Sequence, residues 1–125
     1  MNIKDSNIAI VHDWFLQKSF GGAEKVTFIL NNFFNESYSS PDIFSLTSNI
    51  QNSKRDTFRG TKINTSFIQS LPFGETNVQS YLPFLPYAIE QLDLRKYDLI
   101  ISSSHAFAKG ILTSPDQLHI SYVHT

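Results

Sequence analysis

The chain has 125 residues, a hydrophobic fraction of 41% and a charged fraction of 17%, the balance of a soluble globular protein with one core. A net charge of −1 leaves no basic footprint for nucleic acid, and the absence of cysteine excludes disulfides and thiolate metal sites. The N-terminus MNIKDSN has no signal-peptide h-region. No apolar run reaches the roughly 18 to 20 residues of a transmembrane helix. Together these point to the cytoplasm, with peripheral attachment to a membrane left open. Eleven Phe are more than a small core needs, so some are expected to line a groove or a partner surface.

Ile8–His12 reads as a first, buried strand, and Gly22–Phe34 as a helix whose Ala23, Val26, Phe28, Ile29, Leu30, Phe33 and Phe34 make a broad apolar face. Pro41 signals a turn before a second strand over Asp42–Leu46. Residues 47–60 are polar and read as a loop, and Lys62–Thr65 as a short third strand. Ser66–Leu71 has room for one or two helical turns before Pro72. Residues 77–94 have helical spacing, but Pro83 and Pro86 require the helix to begin near Pro86 or to kink there. Asp98–Ser102 is a fourth strand, Ser104–Lys109 a short helix ended by Gly110, and Leu118–His124 a last strand.

Short buried strands alternating with helices predict an α/β protein with a parallel sheet covered on both faces. Ligands of such sheets bind beyond the carboxyl ends of the strands. That rule selects Asp13 and Trp14 after strand one, Ser102 to His105 after strand four, and His124 and Thr125 after the last strand. Gly21 and Gly22 open a helix directly after strand one. A phosphate can approach such a helix N-terminus closely, though a double glycine also serves any tight turn.

With these residues in view the chain resembles the N-terminal domain of a retaining glycosyltransferase of the GT-B fold, family four. The matching pieces are IAIVHDWF, FGGAEKV, DIFSL, TSFIQSLPF, YLPFLPYAIEQLDLRKYDLIISSSHAFAKGI and PDQLHISYVHT, in that order. The resemblance implies that residues 1–125 form one Rossmann-like, acceptor-side domain, with the donor-binding domain outside them. It implies transfer of a sugar from a nucleotide-sugar donor to a saccharide or lipid-linked acceptor, with retention and without a metal or other cofactor.

The resemblance also assigns residues. Gly21 and Gly22 would sit near the donor diphosphate, and His124 would place the donor sugar, unless it is an edge-strand histidine facing water. His105 would touch acceptor or sugar, or be a first-turn residue beside a serine cap. Asp13 would accept a proton or hydrogen bond from an acceptor hydroxyl, or cap the loop after it. Trp14 would stack on a sugar ring or cover the core. Lys109, with Lys18 and Lys25, would favour an anionic ligand or be a solvated surface group. His12 is as well explained by packing at a strand end, and His119 by a plain strand position. Four histidines without i, i+4 pairing give no metal motif, so no metal site is expected.

Two classes of function remain open: an acceptor-side domain of a sugar transferase, and a binding or assembly module that keeps the fold without the chemistry. A domain cut at YVHT would leave its last strand as an open edge and a domain-facing surface bare, which predicts self-association, or poor solubility where no partner is found.

Overall fold

In a computed structural model of the protein, residues 7–15, 22–37, 41–48, 63–71, 78–104 and 108–123 are described. The strands are β1 (Ile8–Phe15), β2 (Asp42–Ser48), β3 (Ile63–Thr65), β4 (Leu99–Ser104) and β5 (Leu118–Val123). The helices are α1 (Gly22–Ser37) and α2 (Leu85–Glu90), with shorter 3-10 turns at Phe67–Ser70, Val78–Phe84 and Ala108–Gly110. All five strands lie parallel in one sheet of order β3-β2-β1-β4-β5. The expected α/β class, with a Rossmann-like parallel sheet covered on both faces, is what the chain adopts.

Side-chain alternation in β1 sorts the core. Ile8 and Ile10 join Ile43, Ile63, Leu99 and Ile101 under α1, which contributes Phe28 and Phe34. Ala9 and Val11 join Phe44, Leu46 and Ile100 on the other face, closed by Ile68 and by Leu85, Ala88 and Ile89 of α2. Each Val, Leu, Ile or Phe side chain among them contributes roughly 1.5–3 kcal/mol on burial. β1 reads as a continuous apolar run because it lies at the centre of the sheet with both faces covered.

Most boundaries run longer than the pattern predicts. β1 continues to Phe15, α1 to Ser37, β2 to Ser48 and β4 to Ser104. Polar residues continue these elements because backbone hydrogen bonding does not require an apolar side chain. The two prolines resolve as a 3-10 turn holding Pro83 and a short α2 with Pro86 in its first turn. There the missing N–H has no intrahelical partner to lose. Ser66 starts the Phe67–Ser70 turn by accepting the Ile68 N–H at 3.2 Å, and its hydroxyl donates to Leu46 O at 2.7 Å. One serine thus ties that turn to the end of β2.

Candidate functional site

The strand order reverses beside β1. From β1 the chain passes through α1 to β2 and β3 on one side, then returns to lay β4 and β5 on the other. In an open parallel sheet this reversal leaves a crevice beyond the carboxyl ends of the two strands flanking it, here β1 and β4. His12 and Asp13 lie on β1 and Ser102, Ser103 and Ser104 on β4, and all five are fully buried. A buried polar layer at strand ends must be hydrogen-bonded to be tolerated, and the bonds show how each residue is used.

His12 registers with Ser103 across the β1–β4 ladder, and its Nδ1 lies 2.6 Å from the Ser103 carbonyl oxygen. A carbonyl only accepts, so Nδ1 carries a proton and donates, which fixes the ring. In the neutral ring Nε2 is then the basic nitrogen. The His12 ring also lies 5.1 Å from that of Phe15, which stacks on Phe28 of α1 at 6.2 Å. His12 therefore faces the α1 side of the sheet.

Asp13 faces the opposite side. Its Oδ1 accepts the backbone N–H of Ala108 at 2.6 Å, across 95 residues of chain. Ala108 opens the 3-10 turn after β4, so this carboxylate holds the loop of the neighbouring strand to β1. Of the two expectations for Asp13, the geometry supplies the cap, though of a loop distant in sequence. Trp14 is half-buried against the cluster of Ala9, Val11 and α2, while Phe15 joins the cluster under α1. Core covering is thus part of what Trp14 does.

Gly22 is the first residue of the 16-residue α1, which follows β1 as the double glycine predicts. Lys109 lies in the turn Ala108–Gly110, at the same rim in the chain's path. Gly21, His105 and His124 lie outside the described residues. Of the expected site residues, then, the fold brings Asp13, Trp14, the start of α1 and the turn of Lys109 to the carboxyl side of the sheet.

A contact that the residue pattern does not signal lies one strand further out. Ser102 Oγ shares a hydrogen bond of 2.8 Å with His119 Nε2. Burial pushes the His119 pKa below its usual value, because a partly enclosed imidazolium loses hydration. The neutral ring pins β5 to β4 on the α2 side. The register sets Ile100, not Ser102, opposite His119, so this diagonal pair is invisible to strand periodicity. Ser104 Oγ is also buried and makes no hydrogen bond among the described residues.

A hollow of about 870 Å³ opens at the other end of the sheet, lined by Asp42, Phe44, Asn64, Asp93, Arg95, Lys96 and Tyr97. Much of its polar lining is already engaged. The Tyr97 hydroxyl donates to Asp42 Oδ2 at 2.6 Å, and Arg95 donates to both carboxylate oxygens of Asp93. Burial and the Asp42 carboxylate push the Tyr97 pKa well up, and the Arg95 hydrogen bonds hold Asp93 down at about 2. Its place at the amino ends of the strands and its internal pairing give this hollow a structural character. Among the described residues no three His, Asp or Glu gather closely enough to hold a metal ion. No described helix is long and apolar enough to cross a membrane.

Comparison of the chain with protein-family models, with curated proteins and with solved structures finds no match in any of the three.

Proposed function

We propose that the chain is the acceptor-side domain of a retaining GT-B glycosyltransferase, working with a nucleotide-sugar donor and a saccharide or lipid-linked acceptor. The observation that carries this reading is the reversal of strand order beside β1, with His12, Asp13 and Ser102–Ser104 at that point and Gly22 opening α1 immediately after. The order of sequence pieces shared with that family supports it. In this reading the backbone N–H groups at the start of α1 face the donor diphosphate and offset its charge. His124 places the donor sugar, and His105, Trp14 and Lys109 serve the acceptor side. Asp13 acts as a positioning residue, because its Oδ1 already holds the Ala108 N–H.

The test has two arms. In the 125-residue chain, amide shifts are followed while nucleotide-sugars, nucleoside diphosphates and oligosaccharide acceptors are added. Saturable shifts at His12–Trp14, Gly22 and Ser102–Ser104 are expected. In the enzyme carrying a donor-binding domain, Gly22→Val should harm turnover more than melting temperature, since its side chain fills the space of the diphosphate. His124→Ala should cost on the order of 10²-fold in rate, and His119→Ala little. Wild-type turnover in the His124 variant, or shifts confined to the amino ends of the strands, would defeat the assignment.

A further inference from the structure

A groove of about 330 Å³ lies between β3 and the end of α2, lined by Phe44, Asn64, Thr65, Phe67, Gln91 and Asp93. It is two strands away from β1. It adjoins the hollow at the amino ends and shares Phe44, Asn64 and Asp93 with it, but Thr65, Phe67 and Gln91 belong to the groove. Its walls are anchored in the core, since Ile68 beside Phe67 and Ala88 of α2 are fully buried. The Gln91 backbone N–H reaches the carbonyls of Tyr87 and Ala88 at 3.2 Å. Its carboxamide and the Thr65 hydroxyl make no hydrogen bond among the described residues. Asn64 donates from Nδ2 to Ile43 O at 3.2 Å, which orients its carboxamide. Phe67 is 42% exposed, and its ring lies 6.1 Å from the ring of Tyr87. No Lys, Arg or His is among the described lining residues, and Arg95 closes the Asp93 carboxylate from outside.

We infer that this groove binds a neutral saccharide, with one ring face against Phe67 and hydroxyls on Asn64, Thr65 and Gln91. Amides and hydroxyls both donate and accept, as neighbouring sugar hydroxyls require. An exposed aromatic ring takes the C–H face of a sugar through its apolar surface. An anionic ligand would find no counter-charge among these side chains, and a wholly apolar one would leave the two carboxamides and the hydroxyl stripped of water. The volume lies at the lower end of the roughly 300–1,000 Å³ of small-molecule pockets, so a single sugar unit fills it and longer chains extend outside. The groove is separate from the crevice beyond β1 and β4, and the inference stands whether or not a sugar is transferred there.

The test follows amide resonances of the 125-residue chain as neutral gluco-, manno- and galacto-oligosaccharides of increasing length are added. Saturable shifts at Asn64, Thr65, Phe67 and Gln91 are expected with at least one series, at millimolar affinity or tighter. Gln91→Ala and Phe67→Ala should each weaken that binding about tenfold and leave the far-ultraviolet dichroism unchanged, because both side chains are exposed. The matching uronic-acid oligomers should bind more weakly than the neutral ones. If Phe67→Ala does not fold, Gln91→Ala and Thr65→Val decide. The proposal is overturned if no series gives saturable shifts through the millimolar range, or if the variants bind as the wild type does. Saccharide shifts at Asp13, Trp14 and Gly22 with none at Thr65, Phe67 and Gln91 also overturn it, while leaving the proposed transferase crevice standing.

Discussion

The two ends of the same strands are built in opposite ways. At the amino ends, side chains stitch backbone to backbone. Asn7 donates through its Nδ2 to Lys96 O and accepts at its carbonyl from the N–H groups of Asp98 and Leu99. Gln117 donates to the carbonyls of Leu94 and Tyr97 at 2.6 and 2.7 Å, and its Oε1 accepts the Ser114 N–H. At the carboxyl ends, polar side chains with ionisable or nucleophilic groups are buried in a layer: His12, Asp13 and three consecutive serines. The first end is stitched by side-chain amides and by closed pairs such as Tyr97 with Asp42 and Arg95 with Asp93. The second buries an imidazole, a carboxylate and hydroxyls in one layer. That contrast separates an end that holds the sheet together from the end where we propose that a ligand binds, and it can be tested from both sides.

The largest effect is expected where a buried charge holds a buried N–H. Asp13→Ala leaves the Ala108 N–H without its acceptor and should cost about 2–3 kcal/mol in denaturant melts. Among these five changes it alone should also weaken any ligand bound at the carboxyl end. Gln117→Ala breaks three hydrogen bonds at the amino end and should cost about 1–2 kcal/mol, with ligand binding unchanged. A change in ligand affinity there would erase the division between the ends.

Tyr97→Phe removes one hydrogen bond and should cost about 1 kcal/mol near neutral pH. Its sharper signature is alkaline. The folded Tyr97 pKa lies above the ordinary value of 10.0, so the unfolded chain loses this proton first. Stability is full below pH 10 and falls as pH rises beyond it. The phenylalanine variant should lack that part of the fall.

His119 gives a smaller effect of the other kind. Its folded pKa lies below 6.5, so the unfolded state binds the proton first as pH falls through 6.5. Stability is full above that value and declines below it. Replacing His119 with Gln should flatten melting temperatures in that range. The smallest effect is expected at Arg95, whose ion pair with Asp93 has good geometry but side chains 90% and 62% exposed. Water and salt screen such a pair, so Arg95→Ala should leave the melting temperature unchanged.

The fold was legible because burial leaves a period in the sequence. The Ile8–Val11 run, the apolar face of α1 and the Leu99–Ile101 run each answer to a covered face of the sheet. The position of the crevice followed from the alternation of strands and helices and the rule for parallel sheets. The uses of its residues were less legible. The Asp13 bond to Ala108 spans 95 residues, and no local pattern announces a partner so distant. The Gln117 and Asn7 bonds reach backbone carbonyls, which every residue possesses, so neither partner stands out. The Ser102–His119 pair is diagonal in the register. The prolines marked a helix boundary correctly, yet could not tell a kink from a separate 3-10 turn.

The central place of β1 also governs the order in which the sheet can be made. Its β2 partners follow it by 33 positions, as Ile10 with Ile43 shows, but its β4 partners follow by 91, as Ile8 with Leu99 shows. A ribosome adds about 5–20 residues per second, so one side of β1 waits roughly 5–20 s for its partner to be synthesised. For that interval the hydrophobic centre of the sheet is itself an edge. A chaperone that holds extended apolar segments would find residues 8–11 available during translation and inaccessible ever after.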